Sequence, residues 1–137
     1  MGISPAQNFT EHMERYASPT RGYDIIVDTG TGLMGREVEN IRSCDAVVIV
    51  GGRSGTLGEF AIAYDEAKLI GVLEGTGGIA DHIDELLEVI NKETGATVIG
   101  HSDPVKLVEL LEKAYLEKVL PGYLEMIKDF NTDGELE

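Results

Sequence analysis

Apolar positions along the chain alternate between two patterns: short unbroken runs, and longer stretches in which they recur every three or four residues. Unbroken runs bounded by polar or glycine residues read as strands buried on both faces, and the recurring pattern reads as helices with one apolar stripe. On this basis strands are predicted at 24–28, Ala46–Val50, Leu69–Leu73 and 97–99. A helix is expected over about 35–43, with Val38 and Ile41 inward and Arg36, Glu37, Glu39 and Arg42 largely outward. A second, over about 56–68, would face the sheet with Leu57, Phe60, Ala61 and Tyr64, and a third, over about 79–91, with Ile83, Leu86, Leu87 and Ile90. Ser102 or Asp103 can cap a fourth, which carries Pro104 in its first turn and Val105, Val108, Leu111 and Leu116 mostly inward. Pro121-Gly122 should interrupt it before a final helix or arm over 123–130. Residues 1–23 form an irregular leader with a short helical turn near 11–16, and 131–137 a polar, frayed tail.

Buried strands alternating with amphipathic helices predict an α/β domain: a small Rossmann-like parallel sheet of about four strands with helices on both faces, in one domain spanning 1–137. In such a sheet the loops after successive strands emerge on one side, and ligands bind beyond the strand C-termini. So small a sheet leaves apolar surface to cover, either by an irregular strand from the leader or by association into a homodimer or larger homo-oligomer.

A formal charge of -14 with no basic stripe argues against nucleic acid and anionic membranes as partners. The single Cys44 excludes an internal disulfide, and His12, His82 and His101 lack metal-ligand spacing, so neither metal nor cofactor is assigned. No secretory signal and no run of transmembrane length is evident, and the expected location is cytoplasmic.

Three glycine turns follow the predicted strands. Gly51, Gly52, Arg53, Ser54, Gly55 and Thr56 come directly after the strand ending at Val50, where exposed backbone N–H groups at a helix N-terminus form an anion cradle. Thr56 could cap that helix or donate to phosphate, Arg53 could supply a charged arm, and Glu59 could accept from a sugar hydroxyl or act at an anomeric carbon. Gly30 and Gly32, in a G-x-G-x-x-G run ending at Gly35, would form a tight turn with some anion-facing backbone. The acidic residue that a dinucleotide fold places about 20 positions later is missing there, which disfavours NAD. Gly75, Thr76, Gly77 and Gly78 would make a second lip of the same crevice, and Arg36 a second charged clamp. The G-K-[ST] ending of an ATP-hydrolysing P-loop is absent.

With Gly51, Gly52, Gly55, Thr56 and Glu59, and with Val50 taken at the proline position, the chain resembles a family marked by P-G-G-x-G-T-x-x-E. This is the lysine decarboxylase-like, Rossmann-like group that includes cytokinin-activating nucleoside monophosphate phosphoribohydrolases. The resemblance runs from about Gly2 to Leu87 and omits the strand and glycine loop with which such proteins begin. It implies a dimer, and in the hydrolases an arginine works with the motif glutamate at the N-glycosidic bond. Arg36 and Glu59 are the matching positions, Arg36 without the usual Arg-Lys pair. Two functions follow as expectations: a protein that binds a nucleotide or sugar phosphate, a phosphorylated small molecule in either case, or a phosphoribohydrolase that releases free base and ribose 5-phosphate.

Overall fold

The computed structural model describes residues 1–129. Five strands form two parallel sheets: β1 (Gly2–Ser4) with β2 (Ile26–Asp28), and β3 (Ala46–Val50), β4 (Leu69–Leu73) and β5 (Thr97–His101) in that order. Between them run α1 (Phe9–Glu14), α2 (Gly32–Arg42), α3 (Ser54–Asp65), α4 (Ile83–Ile90), α5 (Pro104–Ala114) and α6 (Leu120–Met126). The chain is thus the expected α/β domain with parallel sheets, but with five strands in place of four.

The reason β4 is wholly apolar is that both its faces are covered. Ile70 and Val72 point into a core with Ile41, Ile49, Phe60, Ala63, Ala80 and Ile83, while Leu69 packs on the opposite side with Leu107, Leu111 and Ala114 of α5. Gly71 is glycine because a Cβ there would run into the Leu111 side chain. β3 is covered on one side only, by the Ile49 face, which leaves Val48 and Val50 exposed.

Several expectations need correction. α2 begins at Gly32 and buries Glu37 with Ile41, so Glu37 points inward instead of outward. α3 buries Phe60 and Ala63, while Leu57 and Ala61 are exposed. α5 turns Leu107, Leu111 and Ala114 to the sheet and leaves Val105 and Val108 exposed, because the 107–111–114 row continues the β4 and β5 contacts; Leu116, beyond the end of α5, is exposed too. Asp103 is its N-cap, accepting from the amides of Val105 at 2.9 Å and Lys106 at 3.1 Å. The helical path does not break at Pro121-Gly122: a wider turn over Tyr115–Val119 leads into α6 with Pro121 in its first turn, where no amide donor is needed. α4 is preceded by a 3-10 turn over Gly78–His82. The leader contains β1 and α1, with Ser4, Pro5, Ala6 and His12 buried. The expected tail at 131–137 lies outside the described residues.

Candidate functional site

The C-terminal ends of β3, β4 and β5 are in register, Val50 beside Leu73 beside His101, so their following loops share one edge of the sheet. The first loop carries the head of α3. Its N-cap is Arg53, with φ -130° and ψ -149° and without a side-chain cap. The first helical bond of this turn runs from the Leu57 amide to the Arg53 carbonyl, 2.9 Å. Among the described residues the five preceding amides, from Gly52 to Thr56, have no acceptor. A helix N-terminus normally satisfies such donors with a side chain, water or an anion. Thr56 is therefore no cap. It lies in the first turn with its side chain against Gly52, whose φ of +98° only glycine adopts readily.

The turn is fixed from behind. The Gly51 amide donates to Thr76 Oγ1 at 2.9 Å, and that hydroxyl donates to the Leu73 carbonyl at 2.6 Å. The Ile79 and Ala80 amides return bonds to the carbonyls of Gly52 and Gly51. Gly78 packs directly on the Gly52 backbone, where a side chain would not fit. The Gly75 and Gly77 amides are already occupied: both donate to the Asp81 carboxylate, at 2.7 and 2.9 Å. Asp81 is thus a built-in anion for this lip, which serves as a buttress to the α3 head.

The turn after β2 is also spent internally. The Thr29, Gly30 and Gly32 amides donate to the carbonyls of Ser4, Ala6 and Pro5, tying β2 to the leader. Gly30 and Gly32 keep positive φ, so their glycine character serves the turn, and their amides are not free for a ligand.

Arg36 and Glu59 are on adjacent helices but have different surroundings. Glu59 accepts from Asn40 Nδ2 at 3.3 Å, which aligns its carboxylate across the α2–α3 contact. Glu37 lies between the helices, with its carboxyl against Gly55 and Gly58; Oε1 is 3.1 Å from where a Gly55 Cβ would stand. Burial, and secondarily the charge of Glu59, push the Glu37 carboxyl above the ordinary carboxylate value, against the opposing pull of Arg36. Arg36 itself lines a cavity beside β1, together with Ser4, His12, Ser18 and Tyr23. Arg53, the N-cap of α3, is exposed and forms no ion pair among the described residues.

Sequence reasoning missed Glu37, Asn40, Asp81 and the buried pair Ser4 and His12. Asp81 alone had a legible signal, an acid in the first turn after a glycine loop. Ser4 Oγ and His12 Nδ1 are 2.8 Å apart, a contact across eight residues that no local pattern encodes. Among the described residues no group of three or more His, Cys, Asp or Glu side chains could hold a metal ion, and no helix is long and apolar enough to cross a membrane.

The comparisons with known proteins agree with this architecture. The model of the SLOG cluster4 family matches residues 1–108. The X-ray structure of TM1055, a Northeast Structural Genomics Consortium target, is similar at 27% identity with a TM-score of 0.63. That likeness covers 70% of this chain and 58% of the TM1055 chain, so the protein spans little more than half of that structure. No curated protein matches. The glycine motif is also one residue longer than P-G-G-x-G-T-x-x-E: with Gly55, Thr56 and Glu59 in register, Arg53 falls on the second glycine and Gly51 on the proline. Arg53 has a negative φ, so glycine is not required there.

Proposed function

We propose that this chain, which belongs to the SLOG cluster4 family, binds the phosphate of a nucleotide or sugar phosphate at the head of α3, as a homodimer or larger homo-oligomer. The observation that carries this reading is the run of five consecutive amides, from Gly52 to Thr56, without an acceptor among the described residues, at the N-terminus of a 12-residue helix with no side-chain cap. A phosphate supplies several acceptor oxygens and the negative charge that the helix dipole favours. Arg53, exposed at the N-cap, would add a charged hydrogen bond, and Thr56 Oγ1 is within the same turn. With no Lys of the P-loop kind, the site suits a resting phosphate better than phosphoryl transfer.

A phosphoribohydrolase activity is the second reading, favoured by the fixed Glu59 carboxylate, which is aligned by Asn40 one turn beyond the amide cluster. In that reading the C–N glycosidic bond breaks, the base leaves with a proton, and water adds to the anomeric carbon with Glu59 stabilising its developing positive charge. Calorimetry with AMP, other nucleoside monophosphates and ribose 5-phosphate tests the binding reading. Saturable heat, lost or strongly weakened in R53A, is expected; silence at about millimolar ligand, a free energy near 4 kcal/mol, contradicts it. Free base and ribose 5-phosphate, formed by the native chain and absent with E59Q, would establish the hydrolase.

A further inference from the structure

Each of the two sheets ends in an open backbone edge. Around β4 the Glu74 amide donates to the His101 carbonyl and the Lys68 carbonyl accepts from the Thr97 amide, so even-numbered residues turn their backbone groups to β5. The odd-numbered ones turn theirs to β3, where the register makes Val47 and Ile49 their partners. The N–H and C=O groups of Ala46, Val48 and Val50 therefore point to the other edge of β3, which no ladder covers. In β1 the Gly2 amide donates to the Ile25 carbonyl and the Ser4 carbonyl accepts from the Thr29 amide. Gly2 and Ser4 thus face β2, and the backbone of Ile3 faces away from it.

These two edges face each other. α2 follows β2, packs on β1 and runs along α3, which covers β3 and β4. Glu37 stands against Gly55 and Gly58, Asn40 against Glu59 and Arg42 against Glu66, so the helices run side by side in one direction, as do the strands they follow. Packed helices stand about 8–10 Å apart and paired strands about 4.8 Å apart, so one helix spacing equals two strand spacings. Beneath α2 and α3, β1 and β3 occupy the first and third of three strand positions, and the middle one is open.

The open edge has the composition that natural sheets shield. β3 carries neither Lys nor Pro along it, and Val48 and Val50 are 47% and 56% exposed. An occupant pairs on both of its edges, which rules out a folded copy of this chain: β4 has both edges paired already, and β1, β2, β3 and β5 have one each. Charge restricts it further. Asp45 directly precedes β3 and Asp24 lies just before β2; both are exposed and neither forms an ion pair among the described residues, in a chain of net charge -14. A strand running the same way as its neighbours brings its N-terminal end to this acidic side.

We propose that the position between β1 and β3 is a docking slot for an extended segment of another polypeptide, a five-residue apolar run of the length of β3 with a Lys or Arg before it, which enters as a parallel strand. Main-chain hydrogen bonds supply the affinity, and the basic residue sets the direction. The slot goes beyond the phosphate turn at α3 and does not depend on it, since it shares no residue with the Gly52–Thr56 amides.

The test is amide hydrogen exchange of the full chain, read by NMR, with a synthetic peptide copying residues 68–78, in which a Lys precedes an apolar strand sequence. Without peptide, the Ile3, Ala46, Val48 and Val50 amides are expected to exchange freely and those of Val47 and Ile49 slowly. Peptide should slow the first four by about tenfold or more. A Lys68→Glu peptide should act several-fold more weakly. V48P removes a slot-facing N–H and should abolish the effect; A46P, with proline at the first strand position, carries the comparison should V48P fail to fold. Unchanged exchange at the highest soluble peptide concentration, or equal slowing by a scrambled peptide of the same composition, overturns the proposal. So does slow exchange of the four amides before peptide is added; if dilution then releases them, the edge belongs to a second copy of the chain.

Discussion

Glu37 shows how much one position can bend the behaviour of its surroundings. It is 3% exposed, at a helix–helix contact that an apolar residue would ordinarily fill, and it has no hydrogen-bond partner among the described residues. Because burial and Glu59 raise its folded-state pKa, the folded chain holds this proton more tightly than the unfolded chain. The resulting stability is fully present below the ordinary carboxylate value of 4.5 and is lost as pH rises from there through the folded value. E37Q removes the ionisation while keeping the shape. Thermal unfolding of E37Q should therefore show a higher Tm than the native chain at neutral pH and a flatter pH dependence above 4.5; an unchanged profile would contradict this. None of it was legible in the sequence, where Glu37 looks like one more solvated acid on a charged helix. Ser4 and His12 were hidden for the same reason: long-range burial, unlike local spacing, leaves no mark on neighbouring residues.

At the scale of elements, β3 and β4 are where the sequence is most explicit, since a five-residue run without a polar side chain in each reads as a strand, although only β4 is buried on both faces. β1 is the irregular strand the leader could supply, but its position is not legible because it has three residues, two of them Gly and Ser, and gains its place by pairing with β2. α3 starts at Ser54, two residues before the start its sequence predicts, because its N-cap, Arg53, has none of the usual capping chemistry. That missing cap is also what leaves the amides open, so the failure of the local rule coincides with the candidate site. The glycines around it can be separated by experiment. G52A places a side chain at φ +98° and against Thr56, and should cost about 1–3 kcal/mol, measured by chemical denaturation. G22A faces the same backbone restriction at φ +86° but has nothing within 4 Å, so its cost should be the smaller. On the opposite lip, D81A leaves the Gly75 and Gly77 amides without their carboxylate and should destabilise by about 1 kcal/mol at this exposed position.

At the scale of the whole molecule, the two sheets and their helices leave a row of exposed apolar residues on α5 and beyond, including Val105, Val108 and Leu116. A stripe of this kind is unusual on a monomer and suits a helix–helix contact between copies. If the homo-oligomer forms through it, V108E should convert the assembly to monomer in sedimentation velocity while leaving the folded spectrum unchanged. A native chain that sediments as a monomer across the accessible concentration range would contradict the oligomer. The parallel α/β class could be read from alternation alone, whereas the division into two sheets could not, because it rests on which strands pair, β1 with β2 and β4 with β3 and β5. The proposed phosphate site lies on the side of the molecule where the loops after β3 and β4 meet. Its most direct test is the amide NMR spectrum of the chain titrated with ribose 5-phosphate: the Gly52–Thr56 amides should move together and saturate, with the Gly75 and Gly77 amides little changed on their Asp81 carboxylate. If those five signals stay fixed at saturating ligand, the head of α3 is not a phosphate site.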